Sequence, residues 1–455
     1  MTFRALPLTK LVSLFVFIAS LALAGEALPA SPGQGFGGAT SGGDHAREII
    51  VTRLDDALDA AGQPARGTFR WAVTRKFPRK VVFAVAGDII LSSRLEISGS
   101  ERKNLTVDGS TAPGKGVCIR GGEIAIRNTE QVIFRHVRIR RGRDGVGPFP
   151  ATGPQGSSAN LDCVELRKVK DILFDHVSFS WSCDELIGIT NSRNVTFQWC
   201  IFSEPLGDEL YAIHPYGNQH SACLNISSST VSIHHSLLST FRSRGPQFEA
   251  NDVRSETLES ERLVQLESVN NVIHNYLGVA SRYHTEIESN TPVDANFFFQ
   301  FINNRYLHQT KARSEIWAND SGNANPRIKV YLHGNLGPNR PTQDLPQHAL
   351  VFTRNKAGRR VPLAAAETNY LQQLSERPLI THAPAQQITL HEPNDEFVAL
   401  VLKNVGARPD ARDATDLRIV SSVPLDDRAG TFRAMVRSPA EVGGWPDLTG
   451  TSPEI

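Results

Sequence analysis

Asp171-Ile-Leu-Phe-Asp-His-Val-Ser-Phe-Ser-Trp-Ser-Cys-Asp-Glu-Leu186 decides the fold, because one stretch carries both a coil of a repeat and a pair of acids. Ile172, Phe174, His176 and Phe179 set a pattern that returns as Val132-Ile-Phe134-Arg-His136, Val195-Thr-Phe197-Gln-Trp199 and Val231-Ser-Ile233-His-His235. A motif that recurs at such spacing marks a solenoid. Ile172 and Val195 are 23 residues apart, while the steps from Val132 (40) and to Val231 (36) leave room for insertions. Further on, Val269-Asn-Asn271 and Ile302-Asn-Asn304 repeat the theme 33 residues apart. A coil of about 22–25 residues holds two or three short strands and closes only if each strand pairs with its equivalent in the next coil. The expected fold is all-β, a parallel β-helix. A β-sandwich is the alternative, but it calls for hairpin turns and strict alternation that the sequence does not show.

Working outward, residues 1–24 have a basic start (Arg4, Lys10), an apolar run Leu11–Leu23 and a small-residue end, the pattern of a cleavable secretory signal. The run is short for a membrane span, so the chain is expected to be secreted or periplasmic, with no membrane partner. Residues 25–360 are expected to form the β-helix, entered through a cap helix over Gly67–Arg75. In the tail, residues 361–455, Leu363–Leu374 is rich in helix formers and Phe397–Leu402 is apolar. That tail is expected to pack along the solenoid rather than stand as a domain. Forty-eight Lys and Arg against 47 Asp and Glu leave a net charge of +1, which argues against a nucleic-acid partner. Five cysteines form no Cys-x-x-Cys, so they read as small packing residues in the coils, with Cys163 and Cys183 the pair to test first as a disulfide.

The chemistry centres on acids. Asp162 and Asp184 are 22 residues apart, one coil by the central spacing, which is expected to stack them on adjacent strands with Glu185 beside them. Carboxylates this close repel unless a proton or a cation intervenes. A hard cation in loose oxygen geometry, Ca²⁺ above all, suits Asp162, Asp184 and Glu185 together with Asn160. The other reading is that these are ordinary solvated turn acids.

Seven strings in a fixed order settle a resemblance. They are Gly35-Phe-Gly-Gly-Ala-Thr40, Leu105-Thr-Val-Asp-Gly-Ser-Thr-Ala-Pro113, Ile133-Phe-Arg-His-Val-Arg-Ile-Arg140, Phe174 to Glu185, Gln198-Trp-Cys-Ile-Phe-Ser-Glu204, His234-His235 with Arg242-Ser-Arg-Gly-Pro246, and Val442-Gly-Gly-Trp-Pro446. Together the chain resembles secreted bacterial pectate lyases of polysaccharide lyase family 1. The resemblance implies a right-handed parallel β-helix with a groove along one face. It also implies Ca²⁺-assisted β-elimination on an anionic, polygalacturonate-like polysaccharide, by a monomer. By position, Arg244 falls where the family has its catalytic arginine and Asp162 and Asp184 fall on its calcium ligands, with Arg242 and His235 expected at the substrate.

This chain also departs from the family pattern. The substrate-binding lysine should lie near Leu206-Gly207, and a further arginine past the Pro appears as Gln247 or Glu249. Asn160 and Gly188 stand where acids are common, which removes negative charge from the metal site.

The residue types fit elimination. Removing the C5 proton of a 4-linked uronate builds charge on the adjacent carboxylate, which a cation offsets. Arginine, with an ordinary pKa of about 12.5 or above, needs neighbouring cations and partial burial to act as a base. His176, His234 and His235 are the other candidate bases, although their periodic positions point to packed coil residues. The basic run Arg135, Arg138, Arg140, Arg141 and Arg143 could line the groove or face inward onto acids. Two other functions compete with the lyase. One is a β-helix glycoside hydrolase using Asp184 and Glu185, whose side chains would face opposite ways on a strand. The other is a non-catalytic carbohydrate-binding solenoid.

Overall fold

The structure is a computed structural model, and it describes residues 33–142, 162–206, 221–227, 229–250, 262–285, 287, 295–308, 314–319, 325–365, 370–424 and 435–450. The expected secretory leader, Asn160, Gly207 and Arg143 lie outside the described residues.

The repeat becomes pairing. Val132, Ile172, Val195 and Val231 stand opposite one another in consecutive parallel strands, and Phe134, Phe174, Phe197 and Ile233 follow two residues on. Each coil places one strand in each of three faces, so the described strands form parallel sheets of 11, 10 and 8 strands, a parallel β-helix. Parallel pairing of successive coils is incompatible with a sandwich of hairpins. Among the named strands the antiparallel pair is Val351–Arg354 with Arg360–Pro362, near the C-terminal end.

Inward residues of successive coils stack on their own kind, which fills the tube without alternating large and small layers. Phe134, Phe174 and Phe197 stack at 5.4 and 4.8 Å between ring centroids, and Phe179 and Phe202 at 5.1 Å. Asn271, Asn304 and Asn335 form an amide ladder, Asn304 Nδ2 donating to Asn335 Oδ1 at 2.9 Å. The asparagine pairs in the sequence thus record one interior ladder and one corner.

The corner explains the histidines. His136, His176, Trp199, His235, Asn270 and Asn303 all have φ between 49° and 56°. A left-handed backbone costs a residue other than glycine roughly 1–2 kcal/mol. Here stacking offsets that cost: His136 lies on His176 at 5.1 Å, His176 on Trp199 at 6.2 Å and Trp199 on His235 at 4.7 Å.

At the N-terminal end the cap helix runs Phe69–Val73, capped by the Thr68 hydroxyl, and its Phe69, Ala72 and Val73 enter the core. In the tail, Leu363–Leu374 forms short 3-10 turns at Leu363–Ala365 and Tyr370–Gln373 rather than a long helix, and Leu374–Ser375 rejoins the 11-stranded sheet. The helix Asp395–Asn404 contributes Phe397, Val398 and Val401, and the helix Ala414–Ser421 contributes Ile419 and Val420, to an apolar cluster with Ile201, Leu237, Val272 and Leu307 of the solenoid.

That docking decides between the two readings of the basic run, in favour of facing inward onto acids for Arg138 and Arg140. Arg138 and Arg140 are fully buried, and both pair with Asp413 and Asp416, with Arg140 Nη1 2.6 Å from Asp413 Oδ2 and Nη2 2.7 Å from Asp416 Oδ1. Arg135 pairs with Asp44 and Asp108, and Arg141 is buried against the Gly142 carbonyl and the Cys183 sulfur. Two of the four acids that claim these arginines, Asp413 and Asp416, come from the tail, so Arg138 and Arg140 clamp the tail instead of facing solvent.

No disulfide forms among the five cysteines, all of which are buried. Cys163 sits in the main core and donates to the Ser180 carbonyl, whereas Cys183 packs in a separate cluster with Trp181, Leu206 and Val436. The two thiols of the expected pair therefore point into different packing layers. No helix of the described residues is long and apolar enough to cross a membrane.

Candidate active site

The site begins where strands of the 10-stranded sheet start. Val164 pairs with Ile187 and Glu165 with Gly188, an offset of 23, so the register carries Asp162 opposite Glu185 rather than opposite Asp184. Expecting Asp162 to stack on Asp184 missed by one residue, because the coil is one longer than their spacing. Asp184 instead occupies the bend that precedes the strand Glu185–Thr190. From a bend it need not point away from its neighbour, and the objection that adjacent strand residues diverge does not apply. Oxygens of Asp162, Asp184 and Glu185 all lie within 4.8 Å of one another. The Glu185 backbone N–H donates to Asp162 Oδ1 at 3.2 Å, which fixes the half-buried Asp162 carboxylate against the next coil.

Burial first, and then the charges of its neighbours Glu185 and Asp184, push the Asp162 carboxyl well above the usual carboxylate range. Glu185 is raised for the same two reasons, burial and Asp184, against the opposing pull of Arg244. The acids around this trio are already neutralised: Arg94 pairs with both Glu123 and Glu165, and Arg127 with Glu165. A trio of acids, two of them buried and one half-buried, made wholly of hard oxygen donors fits a divalent cation such as Ca²⁺.

Gly188 borders the trio directly. A Cβ there would sit 2.7 Å from Asp162 Oδ2, so any larger side chain at this position enters the carboxylate cluster.

Arg244 completes the group from two coils further along. It has φ 61° on the bend after the strand Leu237–Phe241, and its Nη1 pairs with Glu185 Oε1. The intervening coil presents Ala222 at this level, opposite Glu185, and that small side chain leaves the path open. Arg242 is half-buried on the same bend.

His235 is not part of this group. It is 1% exposed in the corner ladder, with His391 and Phe397 of the tail packed edge-on against it. Burial, and then the charge of His391, push it down to about 3. His234 is fully buried and His176 is held by Asp175, so neither histidine opens onto the acids. Leu206, near the expected lysine position, is fully buried in the Trp181 cluster.

Arg282 was not among the sequence candidates. It stands opposite Gln247 in the next coil, and its charge is felt alongside those of Arg244, Glu249 and Arg354. Burial and then Arg244 push its guanidinium down to about 10. An arginine thus stands one coil along from Gln247. The signal was the register itself, which places Arg282 beside the Ser-Arg-Gly-Pro bend although no motif surrounds it.

The fold and the site define a class: a parallel β-helix with a buried acid trio and an arginine on one sheet face. No family model matches the chain. It is 27% identical over 445 residues to "Probable pectate lyase C" of Neosartorya fischeri, an alignment covering 97% of this chain and 87% of that protein. To the protein of that name from Aspergillus oryzae it is 27% identical over 438 residues, covering 94% and 84%. These relatives are fungal, so the likeness to pectate lyases stands without the bacterial source that the motifs implied. Among solved structures, the cedar pollen allergen Jun a 1 superposes with a TM-score of 0.53 at 16% identity, over 82% of this chain and 92% of that one, which supports the fold.

Proposed function

We propose that this protein is a polysaccharide lyase that cleaves 4-linked galacturonan by Ca²⁺-assisted β-elimination, exported and acting as a monomer. The observation that carries the reading is the convergence of Asp162, Asp184 and Glu185 within 4.8 Å, with Arg244 on Glu185, in a chain similar to pectate lyases along nearly its whole length.

In this reading Asp162, Asp184 and Glu185 hold the cation. When bound, Ca²⁺ supplies positive charge that offsets the charge developing on the substrate carboxylate. The chain's own residues do the rest. In its deprotonated form Arg244 takes the proton from C5 of the uronate and becomes the guanidinium, the released electron pair forms the C4–C5 double bond, and the C4–O bond breaks with its electrons leaving on oxygen. That oxygen takes a proton from water. Arg282 stands as a second guanidinium on the far side of Arg244 from the acids, so the polymer beyond the reacting uronate meets positive charge there. The pairing of Arg244 with Glu185 aims the side chain before substrate arrives, and it must be given up when the guanidinium loses its proton to act as base. A hydrolase using Asp184 and Glu185 would need two separated carboxyls on either side of a glycosidic bond, whereas these acids form one cluster.

A calcium titration tests the site apart from turnover. By calorimetry, Asp184→Asn and Glu185→Gln are each expected to weaken calcium binding by about tenfold or more, since each removes a charged oxygen donor. Affinities within twofold of wild type in both variants would remove the trio as the metal site.

A further inference from the structure

Outward-facing residues of the sheet that carries the acids form a ladder running away from them. Asn225 pairs with Gln247, Gln247 with Arg282, Arg282 with Trp317 and Trp317 with Phe352, one residue per coil. Successive coils advance about 4.8 Å, so Arg282 and Trp317 lie one and two steps beyond the Gln247 that follows the Arg244 bend. Their inward neighbours establish the direction: Tyr283, Ile316 and Ala318 are in the core, whereas Arg282 and Trp317 are half-buried and outside it.

The ladder is built for a sugar acid. Arg282 brings a guanidinium, with Arg354 adding charge from a later coil and Glu249 as its acidic neighbour. Gln247 is 3% exposed; its Nε2 donates to Asn225 Oδ1 and Glu249 Oε1, while its Oε1 has no donor among the described residues. A buried acceptor without a donor is costly, and a hydroxyl from a ligand would satisfy it. Trp317 presents an aromatic surface beside that pair, and the next ring, Phe352, carries the Arg360 guanidinium 3.9 Å from its centroid. The same face therefore turns from acidic at Asp162 and Glu185 to cationic and aromatic at Arg282 and Trp317.

We infer that Gln247, Arg282 and Trp317 form a subsite for one uronate unit of the chain, on the far side of Arg244 from the acid trio. The inference rests on the proposed lyase activity and places its substrate. Arg282 takes the carboxylate, Gln247 accepts from a ring hydroxyl, and Trp317 stacks on the pyranose. Because this contact forms equally in ground and transition states, its loss falls on KM more than on kcat.

The test compares wild type with Arg282→Gln, Arg282→Lys, Trp317→Ala and Trp317→Phe as full chains with calcium, on short and long galacturonate oligomers. For long oligomers, Arg282→Gln and Trp317→Ala are expected to raise KM about tenfold, with partial recovery in Arg282→Lys and Trp317→Phe, and with less effect on oligomers too short to reach the subsite. Tryptophan emission gives a second readout: the part lost in Trp317→Phe is expected to be quenched by long oligomers in wild type. Turnover with unchanged KM and no such quenching overturns the subsite and leaves the lyase reading intact. Quenching by oligomer without turnover supports the subsite and overturns the lyase reading. Equal unfolding temperatures across the variants exclude a folding defect as the cause of a KM change.

Discussion

Arg244→Lys is expected to lower kcat by on the order of 10²-fold, with polymer binding and calcium affinity close to wild type. Lysine keeps the positive charge but replaces a planar fork with a compact ammonium on a flexible stem. In the protein the guanidinium leaves a left-handed bend, passes the Ala222 level and meets Glu185, so its aim is set by both ends. An ammonium can keep the pairing with Glu185 but loses the planar fork that would be aimed at C5. Steady-state kinetics on polygalacturonate together with calcium titration separate the possibilities. A near-normal kcat would remove Arg244 from the chemical step. The buried histidines of the corner ladder offer no substitute, because none of them opens onto the acid trio.

The second large effect lies far from the groove. Asp413→Ala is expected to destabilise the fold by about 3–5 kcal/mol, because it leaves Arg138 and Arg140 buried with only Asp416 to balance them. Asp413 also caps the helix Ala414–Ser421, accepting from the Asp416 backbone N–H at 2.8 Å, so the tail loses its anchor and its cap together. The pH dependence follows. Burial alone would raise the Asp413 carboxyl, but Arg138 and Arg140 outweigh it and hold the group well below the usual carboxylate range. A carboxyl depressed in the folded state contributes stability that is fully present above its unfolded pKa of about 3.9 and is lost as pH falls through the lower folded value. Denaturant unfolding across the acid range should therefore show wild type losing stability below about pH 4 while Asp413→Ala changes less there. A loss under about 1 kcal/mol at neutral pH would mean the clamp contributes little to the docking of the tail.

The stacking of coils was legible because inward residues repeat in kind: Val132, Ile172, Val195 and Val231 announce their own pairing. The corner was legible as a series of histidines and asparagines, although its left-handed backbone was not. Residue spacing located the acid trio but missed its register by one, since an offset of 23 brings Glu185, not Asp184, opposite Asp162. The fate of the basic run was hidden for a different reason. Whether Arg138 and Arg140 face a groove or a salt-bridge partner depends on Asp413 and Asp416, more than 270 residues away, and no local pattern connects them. His235 was expected at the substrate through the family resemblance, yet the coil turns between it and Arg242 and sends it under the tail. Arg282 went unseen because it has no motif of its own, and only the pairing of Gln247 with the next coil brings it beside Arg244.

In the proposed reaction the acid trio and Arg244 carry out an elimination that needs a bound cation. That reaction is tested most directly by incubating the protein with polygalacturonate, with calcium and with excess chelator, and following ultraviolet absorbance of the unsaturated uronate. Absorbance is expected to rise with calcium, to stop rising in chelator and to resume on added calcium. Cleavage that yields only saturated reducing ends, or unsaturated product formed at an undiminished rate in chelator, would contradict it.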